Sequence, residues 1–143
     1  LFNIFKFIGN KKPKYTLNII QEKYLHEKPF IGEGCYNDKG KQGKWVQYYW
    51  DGPLNIEITY IDNVANGRYV RYSRDGSIMV EVQYVNGKRC GRYVSYDKNG
   101  SVMSEVPYVN GERCGKFIRY YPNGSIRSIE LFEDGVFISY ESF

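Results

Sequence analysis

Histidine is almost absent from the sequence, which contains one, His26, in 143 residues. General acid–base and triad catalysis usually depend on a histidine with a positioned partner. Neither a glycine-rich phosphate loop nor a nucleophile-elbow pattern is present to support another mechanism. We therefore expect a protein that is not an enzyme and has no catalytic residue, with His26 at the surface or in packing.

Cysteine is also scarce, and the three are Cys35, Cys90 and Cys114. An odd number does not indicate a disulfide framework, and no C-x-x-C pair is present to clamp zinc together with His26. Cys90 and Cys114 occupy equivalent positions two strands apart in the sheet predicted below. Their Cα atoms should therefore lie about 9–10 Å apart, which is too far for a disulfide. We expect neither a metal nor another cofactor.

An excess of one charge and long apolar runs are both missing. The 20 Lys and Arg are interleaved with 16 Asp and Glu, and the net charge is +4, which argues against a basic groove for nucleic acid. No apolar run approaches the roughly 20 residues of a membrane-spanning helix. Residues 1–9 (LFNIFKFIG) fit either the tail of a signal or anchor segment or ordinary core. We expect a cytoplasmic protein, with an export or anchor segment upstream of Leu1 as the open alternative.

Aromatic residues and glycines are abundant, and they recur at a fixed step of 24 residues. Such a period indicates a stacked array, and an Asp-Gly or Asn-Gly dipeptide in each unit indicates a hairpin. We predict an all-β fold, an elongated and curved antiparallel meander of stacked hairpins with nine or ten strands. The shared positions are glycine at Gly43, Gly67, Gly91 and Gly115 and an aromatic residue two positions later, at Trp45, Tyr69, Tyr93 and Phe117.

The hairpin loop determines which residues face each other. Pro122 in the fourth loop suits the second position of a type I turn followed by a left-handed glycine, so we expect three loop residues per hairpin. This register places Tyr72 opposite Ile78 and gives one almost wholly apolar face. That face also pairs Val70 with Val80 and Arg68 with Val82, and continues in Val94, Tyr96, Val102 and Val106, while the other face pairs Tyr69 with Glu81, Tyr93 with Glu105 and Trp45 with Glu57.

The two ends depart from the repeat. Residues 1–31 are predicted to form a non-repeat capping segment, and residues 32–143 form the repeat sheet. The stretch TLNIIQEKYLHE (Thr16–Glu27) fits either a short helix or a strand, and both remain open. In the fourth unit the acidic residue lies one position later in the repeat, at Glu130. The alternation of apolar and polar residues is therefore reversed at Ile129 and Leu131.

The repeated unit reads G-x-[WYF]-[VI]-x-Y-x-x-[DN]-G-x-[ILV]-x-x-E-x-x-Y-x-x-G, as in GRYVRYSRDGSIMVEVQYVNG from Gly67. Over about residues 33–136 this unit resembles the MORN repeat, in particular its bacterial variant. The resemblance implies the repeat fold, and it implies a YwqK-type antitoxin that neutralises a partner toxin. Eukaryotic MORN proteins resemble scaffolds at membranes with lipid contacts. Choline-binding wall repeats fit less well, because they depend on Trp-rich cages and this chain has two Trp.

The aromatic row, with arginine and methionine beside it, is the candidate partner-binding surface. These residue types are enriched where proteins bind proteins, and the alternative is that the sheet curls and buries the row as a second small core. The glutamates could attract a cation or a cationic partner, or they could pair across strands with Lys44, Arg68 or Arg92 or contact a Tyr hydroxyl. The predicted partner-binding residues are Trp45, Tyr69, Arg71, Met79, Glu81, Tyr93, Met103, Glu105, Phe117 and Arg119.

Two functions follow as hypotheses. The first is a non-enzymatic protein-binding module and, on the resemblance, an antitoxin or immunity-type protein that occludes a partner toxin. The second is a membrane-associated adaptor that contacts anionic headgroups. It would use residues 1–7 as an apolar anchor and the basic residues Arg68, Arg89, Arg92, Arg113 and Lys116.

Overall fold

The computed structural model describes residues 16–22 and 30–143, with side chains from residue 34 onward. These residues form twelve β-strands in a single sheet. The strands are β1 (Thr16–Glu22), β2 (Phe30–Asn37), β3 (Gly40–Tyr48), β4 (Leu54–Ile61), β5 (Val64–Tyr72), β6 (Ile78–Val85), β7 (Lys88–Tyr96), β8 (Val102–Val109), β9 (Glu112–Arg113), β10 (Gly115–Tyr120), β11 (Ile126–Glu133) and β12 (Val136–Ser142).

The strands follow one another across the sheet in chain order, and every pairing is antiparallel. This confirms the predicted all-β meander. The predicted count of nine or ten strands was too low for two reasons. Thr16–Glu22, which fitted a helix or a strand, is the strand β1, while residues 23–27 of that stretch lie outside the described residues. The first strand of the fourth unit is also interrupted at Cys114, which leaves the short β9 before β10.

The hairpin loop within each unit has the predicted three residues. In the second unit the Gly76 N–H donates to the Ser73 carbonyl at 3.1 Å, and the Ser73 N–H donates to the Ser77 carbonyl at 2.8 Å. Gly76 has a φ of 87°, the left-handed conformation that glycine adopts without strain. Pro122 occupies the second position of the equivalent turn, where its fixed φ fits.

The predicted register holds for the first pair and is wrong by one residue beyond it. Tyr72 lies opposite Ile78, but a β-bulge follows, so that Arg71 lies opposite Val80. The bulge inserts one extra residue, Met79, into β6, and no feature of the alternating pattern marks it. The observed pairs are therefore Val70 with Glu81, Tyr69 with Val82, Arg68 with Gln83, Val94 with Glu105, Tyr93 with Val106, Val46 with Glu57 and Trp45 with Ile58.

A two-residue turn connects successive units. Asn86 and Gly87 have φ values of 49° and 78° between the paired residues Val85 and Lys88, which is a turn with two left-handed residues. Each such turn is joined to the previous unit, because the Gly87 N–H donates to the Ala65 carbonyl at 2.8 Å. The contact recurs between Gly111 and Arg89 and between Gly135 and Arg113, so the turns form a row with the step of the repeat.

A second bulge at each repeat glycine bends the sheet. Gln83 pairs with Cys90 and Glu81 pairs with Val94, so the three residues from Gly91 to Tyr93 lie opposite Val82 alone. Gly91 has a φ of 75°, and a bulge of this kind increases the local twist of the strand. The bulges, and the bends that they cause, therefore recur with the 24-residue period of the sequence.

Both faces of the sheet contain buried residues. Val70 and Val94 are buried on one face, beside the glutamates, and Val82 and Val106 are buried on the other, beside the aromatic rings. The prediction that the buried valines share one almost wholly apolar face was therefore wrong, because the bulge moves Val82 and Val106 to the opposite side from Val70. Each face contains enough apolar residues to be buried under either register. The sequence therefore does not reveal the one-residue shift in pairing.

Candidate functional site

The register divides the side chains of the sheet into two surfaces. We call one the aromatic face; it carries the ring two positions after each repeat glycine and, in the first three units, the valine or isoleucine opposite that ring, as in Tyr69 and Val82. We call the other the glutamate face, where valine and glutamate alternate across the strands. Its central row runs through Val46, Glu57, Val70, Glu81, Val94 and Glu105.

In each unit the aromatic face carries two rings, two and 17 residues after the repeat glycine, which we call the aromatic pair. In the first three units the two rings contact each other. Tyr84 lies directly opposite Gly67, and its ring lies 6.1 Å from the ring of Tyr69. Tyr93 and Tyr108 repeat this arrangement at 6.2 Å. A glycine has no side chain, so the ring opposite it can lean across the glycine and contact the next ring. Trp45 and Tyr60 make the first pair at 6.4 Å.

A cationic side chain lies over the aromatic pair in three of the four units. Lys41 Nζ is 4.8 Å from the Trp45 ring and 5.1 Å from the Tyr60 ring. The Arg113 guanidinium is similarly 5.3 Å from Phe117 and 5.1 Å from Phe132. These distances suit cation–π attraction. We call the positions two residues before each repeat glycine the ladder positions; they are Lys41, Ala65, Arg89 and Arg113.

Two arginines flank Tyr108. Arg89 Nη1 donates to Tyr108 Oη at 3.2 Å, and Arg113 is the residue paired with Tyr108 across the strands. Burial would raise the pKa of Tyr108, but the interactions with Arg113 and Arg89 outweigh burial and lower that pKa. The ladder therefore holds two cations one step apart, neither of which has an ion-pair partner among the described residues.

Arg71 and Arg119 occupy equivalent positions on the aromatic face with different surroundings. Arg119 forms an ion pair with Glu130 and lies over the Phe117 ring at 4.2 Å. The shift of the acid to Glu130 makes this pair possible, because Glu130 lies opposite Phe117 and so on the aromatic face. Arg71 is exposed and forms no hydrogen bond or ion pair with any described residue.

The glutamates are held by pairs on their own face. Glu81 accepts a hydrogen bond from Arg68 at 2.7 Å and another from the Tyr96 hydroxyl, in the next hairpin, at 2.5 Å. These contacts, first from Tyr96 and then from Arg68, hold the pKa of Glu81 below its usual value. The same pattern recurs for Glu57 with Lys44 and Tyr72, and for Glu105 with Arg92 and Tyr120. The interpretation of the glutamates as cross-strand and hydroxyl partners is therefore the one that the contacts support.

The structure brings together some of the predicted partner-binding residues and separates others. Tyr69, Tyr93 and Phe117 lie half-buried on the aromatic face with Arg71 and Arg119, whereas Trp45 on that face is only 3% exposed. Met79 and Met103 are exposed at the bulges beside the hairpin loops. Glu81 and Glu105 lie on the glutamate face, which is the other side of the sheet from the rings with which the prediction grouped them.

Sequence reasoning missed the second ring of each aromatic pair and the arginines at the ladder positions as members of this surface. The signal was available, because Tyr60, Tyr84, Tyr108 and Phe132 recur 17 residues after each repeat glycine. Their importance depends on the glycine opposite them, which becomes apparent only when the register is correct.

The basic residues of the membrane hypothesis are divided between the two faces. Arg68 and Arg92 are paired with glutamates, and Arg89 and Arg113 lie over aromatic rings. Lys116 is exposed on the glutamate face without an ion pair to any described residue, because Ile129 replaces the glutamate of the other units. Residues 1–7 and His26 lie outside the described residues.

Neither a metal cluster nor a spanning helix occurs in the described part of the chain. No three His, Cys, Asp or Glu side chains there are close enough to hold a metal, and Cys35, Cys90 and Cys114 are free thiols. Within residues 16–22 and 30–143 no helix is long and apolar enough to cross a membrane.

Three segments of the chain match a family model. Residues 65–86, 89–110 and 113–134 match the MORN repeat variant. Each matched segment begins at a ladder position and ends in the turn between units, so each contains both ring positions and the acidic position of one unit. The MORN repeat variant is a non-catalytic module, and the three matches indicate a binding module. No curated protein matches the chain.

Proposed function

We propose that the chain is a non-enzymatic protein-binding module whose partner contacts the aromatic face across the second and third units. The proposal depends mainly on Arg71. This arginine is exposed and forms no hydrogen bond or ion pair with any described residue, and it lies on the same strand and face as Tyr69. Arginine and tyrosine are the residues that most often dominate binding energy at protein interfaces. Here both lie on a regular β-strand, so the backbone that carries them needs little ordering on binding.

The electrostatics of the two faces favour the aromatic face. On the glutamate face, Lys44, Arg68 and Arg92 are neutralised by carboxylates. On the aromatic face, Arg71 and Arg89 have no carboxylate partner among the described residues. A partner segment with backbone carbonyl groups or a carboxylate could satisfy Arg71, while its apolar groups pack against Tyr69 and Tyr93.

The finer proposal is that the partner is a toxin and that binding occludes it. The resemblance to bacterial MORN repeat variants supports this role, as does a surface suited to occlusion without chemistry. The product of the neighbouring reading frame is the partner to purify and titrate first.

The test compares two exposed cationic residues that lie on opposite faces and form no ion pair with a described residue. Arg71→Ser should weaken binding of the purified partner at least about thirtyfold, the ratio that a hot-spot cost of about 2 kcal/mol gives. Lys116→Ser, an exposed lysine on the glutamate face, should leave the affinity unchanged. Tyr69→Ser combined with Tyr93→Ser should also weaken binding, with the circular dichroism signal of the sheet retained.

The outcomes separate the candidate functions. Loss of affinity in Lys116→Ser, with none in Arg71→Ser, would move the site to the glutamate face. Salt-sensitive sedimentation of the chain with anionic vesicles at low salt would instead support a membrane adaptor.

A further inference from the structure

The ladder position of the second unit differs from the others in chemistry. Lys41, Arg89 and Arg113 each lie over the aromatic pair of their own unit, whereas the second unit has Ala65. Among the described residues, no cationic side chain lies over the rings of Tyr69 and Tyr84, which stay half-buried. An alanine at this position cannot make the contacts that the other three residues make.

Arg89 shows what a guanidinium at a ladder position contacts. It lies 5.8 Å from the Tyr93 ring centroid and 5.3 Å from that of Tyr108. It also donates to two hydroxyls, Tyr108 Oη at 3.2 Å and Tyr84 Oη at 3.5 Å. The site is therefore two rings and two phenolic oxygens, one of which belongs to the previous unit.

Every group of that site is present one unit earlier. The rings equivalent to Tyr93 and Tyr108 are Tyr69 and Tyr84, and the hydroxyls equivalent to Tyr84 and Tyr108 are those of Tyr60 and Tyr84. The Tyr69–Tyr84 pair also has the geometry of its counterpart, with centroids 6.1 Å apart at 64°, against 6.2 Å at 60° for Tyr93–Tyr108. The second unit thus retains the whole receptor for a guanidinium and lacks only the side chain that would fill it.

We propose that Tyr60, Tyr69 and Tyr84 form a recognition site for a guanidinium group, supplied by an arginine side chain of the bound protein. The source of the guanidinium rests on the proposed function, whereas the site itself rests on the internal comparison. Arginine is preferred to lysine because its planar fork can stack on a ring and donate to both hydroxyls at once.

Cations at adjacent ladder positions are already present in this chain. Arg89 donates to Tyr108 Oη at 3.2 Å, and Arg113, at the next ladder position, is paired with Tyr108 across the strands. A guanidinium beside Ala65 would lie one step from Arg89 in the same manner, with Tyr84 between them. Lys41 occupies the ladder position on its other side.

The test is an NMR titration of the whole chain with N-acetyl-arginine methylamide. Saturable shifts confined to the ring signals of Tyr60, Tyr69 and Tyr84 are expected. The citrulline analogue has nearly the same shape without the charge and should bind at least about fivefold more weakly, the ratio that an exposed cation–π contact of about 1 kcal/mol gives. Equal binding of the two probes, or shifts spread over all the aromatic pairs, would overturn the proposal.

Two variants make the result specific to the ladder position. Ala65→Arg should fill the site from within the chain, raise the urea midpoint of unfolding and abolish the probe-induced shifts, whereas the control Ala65→Gln should not raise the midpoint. Retention of the probe-induced shifts in Ala65→Arg would refute the site. Should Ala65→Arg fail to fold, Tyr60→Phe, which removes one acceptor and keeps the ring, should weaken probe binding, and an unchanged affinity would count against the site. If the probe binds but the purified partner does not, the proposed function is rejected while the guanidinium site is still supported.

Discussion

The contact between Trp45 and Gly34 gives the sharpest stability prediction. The Trp45 side chain is 3% exposed, and its Nε1–H donates to the Cys35 carbonyl at 3.2 Å, which holds the ring against the neighbouring strand. A Cβ placed on Gly34 would lie 2.3 Å from two atoms of that ring. Gly34→Ala therefore forces the ring or the strand to move.

The cost follows from overpacking. Adding a methyl group to a well-packed site costs roughly 1–3 kcal/mol, and the upper part of that range applies because the Trp45 ring is also held by Tyr36 at 4.9 Å and by Lys41 at 4.8 Å. The other units of the repeat indicate a second substitution that should relieve this clash. The positions equivalent to Gly34 and Trp45 carry Val82 and Tyr93 in the third unit, a larger residue with a smaller ring.

Urea unfolding followed by circular dichroism measures the effect. Gly34→Ala should lower the free energy of unfolding by about 2–3 kcal/mol. Gly34→Val with Trp45→Tyr should recover at least about 1 kcal/mol relative to Gly34→Val alone, because contacting residues couple by 0.5–3 kcal/mol. A Gly34→Ala variant as stable as the parent chain, or a double variant that is merely the sum of its two changes, would refute this packing.

Two further predictions test the glutamate face. Glu81→Gln should lower the free energy of unfolding at neutral pH by about 0.2–1 kcal/mol, the range of a partly exposed pair. Since the folded state lowers the pKa of Glu81 from 4.5, the advantage of the parent chain should be complete above pH 4.5 and decline as the pH falls through the folded pKa; a difference independent of pH would contradict it. Val70→Ala, at a residue 1% exposed, should cost about 2–3 kcal/mol, against less than about 0.5 kcal/mol for Val85→Ala at 48% exposure. Equal losses in urea unfolding would show that Val70 is not in the core.

The features fixed by local chemistry could be predicted from the sequence. The 24-residue step, the hairpin in each unit and the three-residue loop follow from glycine and proline at positions where only a few backbone conformations are possible. The one-position shift of the acidic residue to Glu130 could also be predicted from the sequence. The structure places that residue on the aromatic face with Arg119.

The features fixed by the bulges could not be predicted. The residue that is left unpaired, Met79, has the same character as its neighbours, so the alternation fits two registers about equally well. One register gives an apolar face and a mixed face, and the other gives two faces that each bury a row of valines. The aromatic pairs were hidden for the same reason, because Tyr84 reaches Tyr69 only across Gly67.

The division of the sheet into two faces supports every proposal made for the aromatic face, and NMR tests it most directly. Cross-strand nuclear Overhauser effects between backbone protons should link Tyr69 with Val82 and Val70 with Glu81. The same experiment should link Tyr93 with Val106. Effects that instead link Tyr69 with Glu81 and Val70 with Val80 would return the glutamates to the aromatic side and contradict the account.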